Sequence, residues 1–242
     1  VIIPEPLHKD SVCLGHRGVW WAEVELRGRI AHGSMPFLGV SAIRNMAAFL
    51  TKVEEELYPR LAQRRTAMPV IPEGARQSTL NFNSIHGGLP AQAPSEGFPA
   101  ALVADRCRLV LDRRYLIEES EAEVKREVVD ILERLKRERT DFDYRIRDLW
   151  SVPPTMTSED CALVRAIDAS IERVLGRPSR HIASPGTYDQ KHIVRIGELR
   201  DCVAYGPGEL ELAHQPDEFI AIDDMVDAAK VMAAATLRLL YG

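Results

Sequence analysis

The pattern of apolar and polar positions is clearest from Trp20 onward. Trp20, Ala22, Val24 and Leu26 alternate with Trp21, Glu23, Glu25 and Arg27, the period of a half-buried strand with one wet face. After the loop "GRIAHGSMPFLG" the period becomes helical: Ile43, Met46, Ala47, Leu50, Val53 and Leu57 recur on one face until Pro59, where the helix is expected to end. "QSTLNFNSIHGG" and "CRLVLDR" read as two further strands, the latter with Cys107, Leu109 and Leu111 on one side, and the Pro-rich "LPAQAPSEGFPA" between them reads as a loop. Ser120 then opens a helix with Glu123 three residues on, a capping box, and Val124, Val128, Ile131, Leu132 and Leu135 form its apolar stripe. In "FDYRIRDL", Phe142, Tyr144 and Ile146 oppose Asp143, Arg145 and Arg147 as a fourth strand. The order over residues 18–150 is β-α-β-β-α-β, which predicts an antiparallel sheet with two helices on one face, the ferredoxin-like arrangement.

The flanks have a different character. "VIIPEPLHKD" opens on a short β-branched run, as though entered in the middle of a sheet, and the expectation is a fragment of a longer protein. After "SVPPTMTSED", a helix over Glu159–Leu175 should stop at Gly176 and Pro178. A short helix is expected from Thr187, with Gln190 completing a capping box, and "DCVAYG" reads as a buried strand. A last helix from about Asp223 places Ile222, Met225, Val226, Ala229, Met232, Ala233 and Leu240 in register. The fold class is therefore α/β: residues 1–17 and 151–242 as α/β material flanking an inserted domain at 18–150.

Composition narrows the class. The 242 residues, 45% of them hydrophobic, suffice for one large domain or two modest ones. A net charge of −5, with basic residues spread among acids, offers no footprint for nucleic acid, and "CRLVLDR" lacks the paired aromatics that stack bases. No apolar run approaches the roughly 20 residues needed to span a bilayer, and no leader opens the chain, so a cytoplasmic protein without a membrane partner is expected. Cys13, Cys107, Cys161 and Cys202 show no CxxC spacing and are expected to be small interior residues. Cys161, placed on a helix stripe without a recognisable histidine partner, makes a poor nucleophile.

Two histidines sit where chemistry gathers. His214, in "YGPGELELAHQPDEFI", falls on a loop after the predicted strand Cys202–Tyr205, the position at which open α/β sheets bind ligands. His32, in "AHGSMP", follows a strand with Gly33 and Pro36 shaping its turn. Either one alone reads equally as a surface or capping histidine. Arg113 reads as a solvated strand residue or a site residue, and His86 and His192 as exposed or satisfied side chains.

The combination is more specific. "PEP" at 4–6, "GRIAHGSMPFLGVSAI" at 28–43, "LNFNSIHGG" at 80–88, "CRLVLDRR" at 107–114, "SPGTYD" at 184–189 and "YGPGELELAHQPDEFI" at 205–220 follow one another over nearly the whole chain. In that order they resemble the dinuclear zinc amidohydrolase and peptidase family that includes acetylornithine deacetylase, succinyl-diaminopimelate desuccinylase, aminoacylase and carboxypeptidase G. The resemblance implies a zinc-peptidase-like catalytic domain carrying a ferredoxin-like dimerisation domain. It implies Glu5 as a carboxylate ligand of one zinc and His214 as an imidazole ligand of the other, donor types that zinc accepts. It makes His32 the oxyanion stabiliser offered across a homodimer formed by residues 18–150, Arg114 the fork for a substrate carboxylate, and Gly186 and Thr187 the substrate loop.

Two departures bear on this reading. In the family a bridging aspartate, a further histidine, a glutamate ligand and the general-base glutamate precede the stretch that resembles "PEP", and this chain has no such segment. The "AALVADRC" and "GTYDQKH" stretches also differ from the usual residues near the substrate. The expectation is metal-dependent hydrolysis of the amide of a small N-acylated amino acid or related amine by the intact protein. That protein would carry two zinc ions per subunit, or cobalt or manganese, whereas these 242 residues alone would be inactive and hold no metal. The alternative is a non-catalytic dimeric interaction or ligand-binding module derived from such an enzyme.

Overall fold

A computed structural model describes residues 1–89 and 101–242, so all of the Pro-rich loop except Leu89 lies outside the described residues. In chain order the elements are β1 (Ile2–Ile3), β2 (Ser11–His16), β3 (Gly18–Arg27), α1 (Ala42–Lys52), α2 (Tyr58–Ala62), β4 (Thr79–Gly87), β5 (Arg106–Tyr115), α3 (Glu121–Glu138), β6 (Asp143–Val152), β7 (Thr155–Met156), α4 (Ala162–Leu175), β8 (Arg180–Ser184), α5 (Gln190–Arg195), β9 (Val203–Ala204) and α6 (Ile222–Tyr241). They form two compact units. One holds Val19–Arg65 and Gln77–Ser151; the other holds Val1–Gly18, Thr66–Arg76 and Val152–Gly242.

In the first of these, alternation produces the ferredoxin-like sheet, with strand order β4-β5-β3-β6. Trp20, Ala22, Val24 and Leu26 on β3 and Cys107, Leu109 and Leu111 on β5 are buried, and they pack with the α3 stripe Val124, Val128, Ile131, Leu132 and Leu135. The capping box is present: the Ser120 hydroxyl accepts the Glu123 N–H at 3.3 Å, and the Glu123 carboxylate accepts the Ser120 N–H at 3.2 Å. Ser120→Ala should therefore cost about 1 kcal/mol of stability, read from chemical denaturation. An unchanged midpoint would mean that α3 is held by its packed stripe alone.

The first helix departs from expectation in phase and in length. Its buried residues are Ala42, Asn45, Met46 and Phe49, whereas Ile43 and Ala47 face outward. Nor does it end at Pro59. Val53–Leu57 form a π turn in which the Tyr58 N–H donates to Val53 O, five residues back. The wider turn makes room where a proline ring would meet the carbonyl four residues before it, and Pro59 falls in the first turn of α2, where its missing N–H costs nothing. Val53, Leu57 and Leu61 stay buried in one column at a spacing of four.

The other unit is built around β2, "SVCLGH", which is buried along its whole length. It runs parallel to β8 and antiparallel to β7 and β9, with a register break between Cys13 and Gly15, while β1 runs parallel to β9. Val12, Leu14, Val203 and Tyr205 on one face pack on α4 and α6. Cys13, Ile182 and Ala204 on the other meet Leu7 and Tyr188. Covering on both faces removes alternation from such strands. The return segment Thr66–Arg76 adds a bridge, with Val70 parallel to Ala183 and the Ile71 N–H donating to Ala183 O at 3.1 Å.

Three details of this unit correct the sequence reading. α6 buries Ala228, Val231 and Ala235, small side chains that let it approach α4 closely, whereas Ile222, Met225, Val226 and Leu240 are exposed. α4 starts at Ala162 with Cys161 as its N-cap, although it does end on Gly176 at φ +70°. α5 has no capping box. Gln190 is fully buried, and its amide donates to Leu14 O at 3.1 Å and Cys202 O at 2.6 Å, joining β2 to the residue before β9. Among the described residues no helix is long and apolar enough to cross a membrane.

Candidate active site

Glu5 and His214 are brought together by the parallel pair β1 and β9, since each follows the carboxyl end of its strand. The "YGPG" stretch runs beside "EPLH": the Leu7 N–H donates to Gly206 O at 3.4 Å and the His8 N–H to Gly208 O at 2.8 Å. Glycine is required at both positions. A Cβ on Gly206 would lie 2.6 Å from Glu5 O, and Gly208 has φ +99°. A short turn of 3₁₀ helix, Leu210–Leu212, then leads to His214, which is exposed and itself left-handed at φ +65°, its N–H donating to the Glu218 carboxylate at 3.1 Å.

The electrostatics tie these residues to a second loop. The Glu5 carboxyl is held above its ordinary range, first by burial and then by the charge of Asp189, with Lys191 and His214 working in the opposite direction. The charges of Asp189, Lys191 and His214 all act on Glu5, and Lys191 pairs with Asp189 at 3.5 Å. Asp189 and Lys191 follow Gly186 and Thr187 in the connection from β8 to α5, where the Gly186 N–H donates to Ser184 Oγ at 3.2 Å. In the same connection the Tyr188 hydroxyl donates to Cys13 O at 3.3 Å. Burial pushes the Cys13 thiol up to about 11, which keeps it protonated at neutral pH and removes it as a nucleophile.

His16 belongs to the same unit. The ring is fully buried and packs edge-on to Tyr188 at 5.3 Å. Its Nδ1 lies 2.8 Å from Arg17 O. A carbonyl can only accept, so Nδ1 carries the proton and Nε2 presents a lone pair, which has no hydrogen-bond partner. Burial, above all, lowers its pKa to about 4, and the ring is neutral.

The remaining candidates belong to the ferredoxin-like unit. His32 lies in an exposed loop, where its Nδ1 accepts the Ser34 N–H at 3.2 Å and lies 2.8 Å from Ser34 Oγ. That bond leaves the proton on Nε2, the form that can donate to an oxyanion. The Arg114 fork is engaged by Asp112, at 2.7 Å through Nε and 2.9 Å through Nη2. Arg113 is not a solvated strand residue. It is fully buried and donates to Glu119 at 2.8 Å and to Arg114 O at 2.8 Å. His86 and His192 are exposed. Sequence reasoning passed over His16 and Lys191, whose neighbours are set by long-range contacts rather than by a local pattern.

Among the described residues no group of three or more His, Cys, Asp or Glu is arranged to hold a metal ion. The Glu5 and His214 pair offers a carboxylate and an imidazole, which suit zinc, but two donors do not close a tetrahedral shell.

Residues 14–140 match the peptidase dimerisation domain, and the chain belongs to that family. It is 24% identical to an acetylornithine deacetylase of Myxococcus xanthus, covering 100% of this chain and 58% of the relative. It is 28% identical to a succinyl-diaminopimelate desuccinylase of Pseudomonas syringae pv. syringae, covering 99% of this chain and 57% of the relative. Among solved structures, the M20 family metallo-carboxypeptidase of Sulfolobus solfataricus superposes with a TM-score of 0.73 at 20% identity, over 98% of this chain and 62% of that one. The chain spans a little over half the length of the curated relatives it matches.

Proposed function

We propose that the intact protein is a metal-dependent hydrolase that cleaves the amide of N-acylated amino acids or related amines, acting as a cytoplasmic homodimer through the ferredoxin-like unit. The observation that carries this reading is the convergence of Glu5 and His214 at the carboxyl ends of β1 and β9, in a chain whose relatives are named deacetylases and desuccinylases. Glu5 and His214 would each hold one metal ion, with ligands from outside these 242 residues. A bound zinc ion supplies Lewis acidity toward the scissile carbonyl. His32 would donate through Nε2–H to the carbonyl oxygen as charge develops on it, reaching the partner subunit's site. Gly186 and Thr187 would line the substrate loop, and Arg114 would orient a carboxylate by exchanging Asp112 for it.

The test is metal content and hydrolysis measured on the protein expressed from its own gene. About two zinc ions per chain, with turnover of N-acetylated or N-succinylated amino acids, is the expected result. The same protein without metal and without turnover would leave a dimeric ligand-binding module as the reading. The 242-residue chain alone is expected to show no turnover, which an assay of the purified polypeptide with added zinc checks directly.

A further inference from the structure

The connection from β8 to α5, which carries Gly186 and Thr187, is held from the end of β2. His16 and Ser184 close β2 and β8 as register partners; just beyond them the Arg17 N–H donates to Ser184 O at 3.3 Å and the Arg17 Nε to Pro185 O at 3.1 Å. Farther along, Tyr188 packs against the edge-on His16 ring at 5.3 Å and is tied by its hydroxyl to Cys13 O. Ser184 and Tyr188 are buried, whereas Pro185, Gly186 and Thr187 between them are half-buried. The loop is pinned at both ends and presents its middle.

His16 reaches both pins. Its Nδ1–H donates to Arg17 O at 2.8 Å, and its ring lies against Tyr188. For packing alone it is a costly residue. Nε2 is one of five buried side-chain polar atoms without a hydrogen-bond partner among the described residues, and a buried acceptor left unpaired bears its full desolvation penalty. Another of the five, Gln190 Oε1, sits at the far end of the same connection, on the first residue of α5. Unpaired buried groups gathered on one connection mark a role other than stability.

We propose that His16 is a positioning residue for the loop of residues 185–187, setting through its bond to Arg17 the conformation in which that loop meets substrate. This rests on the hydrolase reading, which makes Gly186 and Thr187 the substrate loop, and adds to it a residue that acts through its neighbours rather than by contact. A loop ordered beforehand spares the substrate the cost of ordering it, so the effect falls on binding, and on KM more than kcat.

The experiment uses the intact protein, with N-acetylalanine as substrate. His16→Phe keeps an aromatic ring against Tyr188 and removes the bond to Arg17 O together with the unpaired Nε2, two changes whose effects on stability oppose each other. The expected result is KM raised about 10-fold, kcat within about threefold of the parent and a melting temperature close to the parent's. An unchanged KM overturns the assignment while the hydrolase reading stands, and so do losses shared equally by kcat and KM with a lowered melting temperature, the signature of a merely structural residue. If the parent turns over no N-acyl amino acid, the hydrolase reading fails, and hydrogen exchange at the Gly186 amide, bonded to Ser184 Oγ, decides for His16. Exchange faster in His16→Phe than in the parent supports the positioning role; equal exchange removes it. Should His16→Phe fail to fold by circular dichroism, His16→Leu takes its place in each comparison.

Discussion

His214→Asn in the intact protein is expected to lower kcat/KM by more than about 100-fold and to release metal, with no comparable loss of thermal stability. The magnitude follows from the proposed role. Loss of a group that merely supports a metal ligand costs about 10- to 100-fold, and loss of a ligand itself should exceed that. The choice of asparagine follows from the backbone. His214 is left-handed at φ +65°, a conformation in which asparagine is enriched, and the exposed loop takes its hydrogen bond from the main-chain N–H rather than from the imidazole. The substitution therefore removes the donor nitrogen while leaving the loop intact. A variant that retains its metal and stays within about threefold of the parent in kcat/KM would show that His214 is a surface histidine, since a ligand cannot be lost so cheaply.

Arg113→Met should destabilise the ferredoxin-like unit by about 3–5 kcal/mol, the cost of removing one partner from a buried ionic cluster. The Arg113 side chain is fully buried, and Glu119 and Glu127 beside it are 9% and 11% exposed. Arg113 reaches both carboxylates and the Ser78 hydroxyl, Ser78 Oγ donates to Glu119 at 2.5 Å, and the Leu116 N–H donates to Glu119 at 2.8 Å. Among the described residues Arg64, itself about a third exposed, would remain to pair the two acids. The pH dependence carries a sign that can be checked. Burial tends to raise the Glu119 carboxyl, but the Arg113 charge and these hydrogen bonds outweigh it and hold the group below its ordinary value of 4.5. A depressed carboxyl stabilises the fold above its unfolded value, and that stability is lost as pH falls through the lower folded value. Without Arg113 the burial term dominates, so the deficit of the variant should shrink as pH is lowered from 7 toward 5. A deficit that is constant over that range would mean that packing, not charge, is what the arginine contributes. Adding Glu119→Gln should recover part of the loss, because the two sites share one network.

Much of the ferredoxin-like unit was legible because its signals are local. The β3 alternation, the α3 stripe and the Ser120–Glu123 box each depend on residues within a turn or two of one another, and they appear as read except that Glu25, expected on the wet face of β3, is buried and paired with Arg27 and Arg108. β2, β7 and β8 were not read as strands. β2 is buried on both faces and so lacks the polar half of the pattern, while β7, at two residues, is too short to show one. The phase of α1 and the exposed side of α6 were misjudged for a related reason: apolar residues mark more than one helical face, and only the partner helix or sheet selects which is buried. Gln190 looked like a cap and became a buried connector between β2 and the residue before β9, 176 and 12 residues away in sequence.

The amino-acid sequence by itself determined the α3 stripe with its capping box and the order along the chain of the elements of the inserted sheet, which depend on spacing along the chain, and its motifs proposed Glu5, His32, Arg114, Gly186, Thr187 and His214 through their resemblance to a family. Tertiary structure alone decided that Thr66–Arg76 returns to the other unit, that Arg113 rather than Arg114 is the buried one of the two, and that His16 is buried edge-on to Tyr188. Burial and charge act through space over a few ångströms, and in a folded chain those neighbours are set by strand pairing and helix packing, which no local period records.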